Sequence, residues 1–96
     1  MASFEQHCQE TQNILGKRYE AVHKWLDEFF LVPPYGTRHR RLRHHEAGIR
    51  EVERLFGLEA AKAARIHILM DLRMEGWRDG DPFPCDEAHF VDLGLW

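Results

Sequence analysis

The sequence predicts an all-α fold, a small bundle of about four helices followed by a loop-rich, apolar C-terminal tail. Three observations predict it. Apolar residues recur at helical spacing along most of the chain, and glycines and prolines cut that pattern into helix-length pieces. No stretch alternates apolar and polar residues as a half-buried strand would. The chain of 96 residues suits one domain, 1–96, with the tail from residue 75 onward.

Each element has its own signals. Ser3-Phe4-Glu5-Gln6 has the spacing of a capping box, so a first helix should run over residues 4–15, with Gly16 placed to stop it. Tyr19, Val22, Leu26 and Phe29 form an apolar stripe widened by Trp25 and Phe30, which predicts a second helix over 18–31. Pro33 and Pro34 end it, because proline lacks the amide and biases its predecessor away from helix. Thr37 can cap a third helix reaching Phe56, along which Leu42, His45, Ile49, Val52 and Phe56 make a heptad-like seam closed by Gly57. A fourth helix over 59–74 opens with Ala60, Ala61, Ala63 and Ala64, strong helix formers that let a neighbour approach closely. Gly76, Gly80, Pro82 and Pro84 make the next stretch a loop, and Asp86 can cap a last short turn.

Composition narrows the function classes. A hydrophobic fraction of 44% with 30% charged residues describes a globular chain, not a disordered one. The formal net charge of -3 argues against general nucleic-acid binding. The apolar runs are too short for a membrane span and the first residues lack the pattern of a signal peptide, so a cytoplasmic location is expected. Cys8 and Cys85 are then expected to be free thiols.

His23 and Asp27, and again His67 and Asp71, have the spacing His-x-x-x-Asp on two predicted helices, which stacks each pair on one helix face. His45 occupies the seam of the third helix, with His44 beside it. Three helices would thus aim imidazoles and carboxylates at one interior. Such a set can hold a divalent transition metal (zinc, iron, manganese or nickel), because helical bundles build metal sites from facing helices. The expected ligands are His23, Asp27, His45, His67 and Asp71, with His44 in reserve. The same residues can instead form a polar core in which each aspartate orients its own histidine. The spacing matches no established metal signature.

Arg38, Arg40, Arg41 and Arg43 crowd the start of the third predicted helix with no acid among them. The positive end of the helix dipole adds to their field, so an anionic ligand or an acidic protein surface is expected there. The alternative is internal pairing, with Glu28 or the acids between Glu75 and Asp92.

His7 followed by Gly16, Val22-His23-Lys24-Trp25-Leu26-Asp27, Arg38-His39-Arg40, His44-His45, Phe56-Gly57 and His67 with Asp71-Leu72 together resemble a family of short His-rich bacterial and phage proteins over about residues 7–72. The resemblance implies that the His/Asp set belongs together, and it brings no established activity. The leading expectation is a small helical metal-binding protein. If it is an enzyme, metal-assisted hydrolysis of a phosphate compound is the nearest chemistry, with the arginine cluster holding the anion; no catalytic residue is assigned. The rival is a non-catalytic binding protein, such as a phage-encoded inhibitor of a host factor. Phe83, Phe90, Val91, Leu93, Leu95 and Trp96 make the tail apolar for a chain end, which predicts a homodimer through that tail or a tail folded over its own bundle.

Overall fold

The computed structural model describes residues 2–95, and its described residues are helices and turns without strands. Six helices follow in order: α1 Phe4–Leu15, α2 Glu20–Leu26, α3 Arg40–Arg43, α4 Glu46–Phe56, α5 Leu58–Met74 and α6 Glu87–Asp92. The longest, α5, lies against α1, α2 and α4 and supplies the middle of the core. Its alanines at 60, 61, 63 and 64 are buried, which lets the neighbouring helices close in on it. Val22, Leu26, Ile49, Val52, Ile68, Leu72 and Phe90 complete the apolar core.

The ends of α1 form as the sequence predicts. Ser3 accepts from the Gln6 amide while the Gln6 side chain accepts from the Ser3 amide, and Gly16 closes the helix in the left-handed region at φ 82°. The second and third helices depart from expectation. The second stops at Leu26 rather than residue 31; turns follow, with Leu31 held at φ 62° and its amide bonded to the Gly36 carbonyl. The third is broken in two. His45 takes an extended conformation (φ -159°, ψ 177°) and caps α4, its Nδ1 accepting from the Gly48 amide. Gly48 permits that break, since a Cβ there would sit 1.8 Å from the Arg43 carbonyl oxygen.

The tail folds onto its own chain. The Pro84 and Cys85 carbonyls accept from the Glu46 and Ala47 amides, satisfying the exposed start of α4. Asp86 caps α6 through the His89 amide, as its position suggested, and Phe90 is buried in the core with Phe83 and Leu95 packed beside it. Of the residues behind the expected tail-mediated dimer, Trp96 lies outside the described residues. Cys8 is buried and Cys85 exposed, both free thiols. No helix among the described residues is long and apolar enough to cross a membrane.

Candidate metal centre

Asp27, His44, His67 and Asp71 meet in the interior, each offering one ligand atom, all within 4.8 Å of one another. Three segments deliver them. Asp27 follows the last turn of α2, His44 sits in the break between α3 and α4, and His67 and Asp71 share one face of α5 at the spacing read from the sequence. The break that the seam pattern did not announce is what brings His44 inward.

The distances separate hydrogen bonds from something wider. His67 Nε2 lies 3.4 Å from Asp27 Oδ2 and 3.5 Å from Asp71 Oδ2, and His44 Nδ1 lies 3.6 Å from Asp71 Oδ2. A good hydrogen bond is shorter, about 2.7–3.2 Å. Ligands roughly 2.0–2.2 Å from a tetrahedral zinc stand about 3.3–3.6 Å apart, the range seen here. His44 Nδ1, His67 Nε2 and both Asp71 oxygens are buried and have no hydrogen-bond partner. Buried polar atoms are nearly always satisfied, so the meeting of three orphans, Asp71 Oδ2 with His67 Nε2 at 3.5 Å and His44 Nδ1 at 3.6 Å, marks a candidate place for a ligand; Asp71 Oδ1 faces His7 Nε2 instead, at 3.2 Å.

The outer groups hold the inner ones in ligand-ready form. The Thr11 hydroxyl lies 2.8 Å from the Arg18 carbonyl, to which it donates; it then accepts from His23 Nε2 at 3.0 Å. That leaves the lone pair of His23 on Nδ1, which accepts from His67 Nδ1 at 2.8 Å. The chain thereby fixes the lone pair of His67 on Nε2, the atom facing both aspartates. His44 likewise donates Nε2–H to the Leu26 carbonyl at 3.2 Å, leaving Nδ1 free to bind. His39 donates to Asp27 Oδ1 at 2.9 Å.

Charge points the same way. Burial pushes the His67 imidazole down to about 3 and that of His23 down to about 4, so both rings are neutral near neutral pH. Burial opposes the ionisation of Asp27, but the hydrogen bond from His39 and the imidazoles of His44 and His67 beside it outweigh burial and hold the carboxyl well below the usual range. Burial likewise opposes ionisation of Asp71, and contact with His7 and the nearby imidazoles lowers it on balance. Two carboxylates that favour ionisation therefore stand with ligand atoms within 4.8 Å of each other, Asp71 buried and Asp27 half-buried. The nearest full cation, Arg40 Nε, stands 3.8 Å from Asp71 Oδ2 and shares its guanidinium with Glu75. Neutral imidazoles beside ionised carboxylates are a donor set that could hold a metal ion.

Of the residues singled out in the sequence, Asp27, His44, His67 and Asp71 come together. His23 falls in a second, overlapping group, with His7 and His67, whose ligand atoms also lie within 4.8 Å of one another, and its Nδ1 bonds to His67 Nδ1. His45 is corrected: both its ring nitrogens are engaged, Nδ1 by the Gly48 amide and Nε2 by the Arg41 carbonyl, so it serves as a helix cap. Sequence reasoning missed His7 and His39. His7 is buried, stacked on the His67 ring at 3.6 Å, with Nε2 3.2 Å from Asp71 Oδ1. Its spacing of four from Thr11 on the inner face of the first helix was the available signal. His39 had only its place in the Arg38-His39-Arg40 motif of the resemblance, because it lies in the turns before α3 and shows no helical spacing.

The expectation of an unneutralised arginine field at a long helix start is also revised. The α3 helix has four residues, and its arginines close onto acids, Arg40 with Glu75, Arg41 with Glu87 and Arg43 with Glu28. Arg43 also donates to the Trp25 carbonyl at 2.7 Å and lies 4.0 Å from the Trp25 ring. Arg38 is engaged as well.

Comparison with known proteins adds one finding. The model of a family described as "Domain of unknown function (DUF6915)" matches residues 2–75, a span that contains every residue of the centre. No curated protein and no solved structure matches the chain.

Proposed function

We propose that this chain, which belongs to the DUF6915 family, binds one divalent transition metal ion, zinc foremost, through Asp27, His44, His67 and Asp71. The observation that carries the reading is the convergence of three buried, unpartnered ligand atoms, from His44, His67 and Asp71, with the Asp27 carboxylate, three of their separations being 3.4–3.6 Å, near a tetrahedral edge. Imidazole nitrogen with carboxylate oxygen suits zinc, and also iron, manganese or nickel. Four protein ligands would fill a tetrahedral shell, which is the habit of structural centres rather than of centres that keep a position for water. The ion would tie the end of α2 and the α3–α4 break to α5, so binding would stabilise the fold.

The polar-core alternative accounts for the His67–His23–Thr11 chain and for the His39–Asp27 bond, and leaves the Asp71 oxygens without hydrogen bonds. Hydrolysis of a phosphate compound loses its expected anion holder, since Arg40, Arg41 and Arg43 are paired with acids. Thermal unfolding tests the reading. A chelator should lower the melting temperature, and zinc added in excess over its dissociation constant should restore it. An unfolding curve unmoved by either addition would overturn it.

A further inference from the structure

Of Arg38, Arg40, Arg41 and Arg43, only Arg40 is buried, and it is buried against the metal centre. Taking a guanidinium out of water is costly unless carboxylates face it. Two do. Asp71 and Glu75 stand one turn apart at the end of α5, and Arg40 spans them. The two contacts are unequal. Nη1 donates to Glu75 Oε1 at 3.0 Å on the exposed side, whereas Nε stays 3.8 Å from Asp71 Oδ2 and has no hydrogen-bond partner. A bidentate pair on Asp71 would lock the guanidinium there. A single wide contact, anchored from outside, holds it as a loosely placed counter-charge.

Asp71 Oδ2, the atom that Arg40 faces, is also the one that meets His44 and His67. A ligand oxygen stands roughly 2.0–2.2 Å from zinc, so an ion on Asp71 Oδ2 would lie within about 6 Å of Arg40 Nε. At that range, in a buried space, a guanidinium repels a divalent cation strongly. We propose, on the metal-binding reading above, that Arg40 is the resident counter-ion of the centre: it faces the Asp71 carboxylate in the metal-free chain and sets the affinity for the ion that replaces it. As the ion enters, the guanidinium leans onto Glu75. The ion is then held less tightly than its four ligands alone would hold it, and it can be withdrawn.

Zinc affinity, measured on metal-stripped protein by competition with a chromogenic chelator, tests this. Arg40→Gln should bind zinc at least about tenfold more tightly than wild type. Arg40→Lys, which keeps the charge, should stay closer to wild type than to Arg40→Gln. Zinc should also raise the melting temperature of Arg40→Gln by more than that of wild type, a gain that a merely structural arginine would not produce. Glu75→Gln leaves Arg40 to Asp71 alone, so it should weaken zinc binding, and weaken it less once Arg40 is replaced by glutamine. If Arg40→Gln does not fold, Glu75→Gln decides, and zinc binding unchanged or tightened by it overturns the proposal. Wild-type protein that binds no zinc removes the centre itself. Zinc bound by Arg40→Gln no more tightly than by wild type leaves the centre standing and overturns the role of Arg40.

Discussion

Lowering the pH of metal-free protein should destabilise it well before ordinary carboxylates titrate. His23 is buried between His67 and Thr11, and burial moves its pKa from 6.5 to about 4 in the folded chain. Between those values the unfolded chain binds a proton that the folded chain refuses. Stability is thus full above 6.5 and falls as the pH drops towards 4. At 1.36 kcal/mol per unit, a gap of about 2.5 units amounts to about 3 kcal/mol, a large part of a small domain's stability. His67, pushed down to about 3, extends the loss in the same direction. The lowered Asp27 and Asp71 act elsewhere: their contribution is present above the usual carboxylate range and is lost only below it. The assay is urea unfolding with a chelator present, from about pH 7 to about pH 4.5, on wild type and His23→Gln. The wild-type midpoint should fall steadily from about pH 6.5 downward, and the variant should fall less. A flat midpoint down to about pH 4.5, or equal slopes for the two proteins, would refute the buried, neutral His23 on which the tautomer chain depends.

Three further outcomes follow from the packing. His67→Ala should cost about 1–3 kcal/mol more than His89→Ala, because it strands His23 Nδ1 and removes a neighbour of the buried Asp71 carboxylate, and denaturant midpoints compare them. Gly48→Ala should destabilise by at least about 1–3 kcal/mol, since its Cβ meets the Arg43 carbonyl; calorimetry would show the loss, and a neutral change would mean that the break relaxes freely. Arg40→Gln should lower stability in plain buffer by about 1–3 kcal/mol by removing the cation near Asp71, and equal melting temperatures would count against that contact.

Much of the fold was legible because it rests on local signals. The Ser3 capping box, Gly16, the alanine-led α5 and the Asp86 cap each act within a few residues, and all appear where the sequence put them. The breaks were less legible because they are set by tertiary contacts. The seam from Leu42 to Phe56 runs on at helical period through His45, yet the backbone opens there, where Gly48 allows close approach to Arg43. Histidine is also an unusual cap, and nothing in its spacing distinguishes a cap from a ligand. The two His-x-x-x-Asp pairs pointed to the right region; His67 does meet Asp71, while His23 and Asp27 part. Asp27 turns from His23 towards His39, His44 and His67, because the helix ends at Leu26 and frees the aspartate from the helical row. The apolar tail was read from composition, and its place against α4 depends on amides that only the broken helix exposes.

The metal centre is the central claim, and metal content measures it most directly. Protein purified without a nickel column should carry about one divalent transition metal ion per chain by elemental analysis. Stripped protein should bind one zinc ion in a titration. His44→Ala and Asp27→Asn should each lose that ion while His45→Gln, altered only at the α4 cap, keeps it. Wild-type protein that is isolated without metal and takes up no zinc, or uptake that survives both ligand changes, would contradict the account.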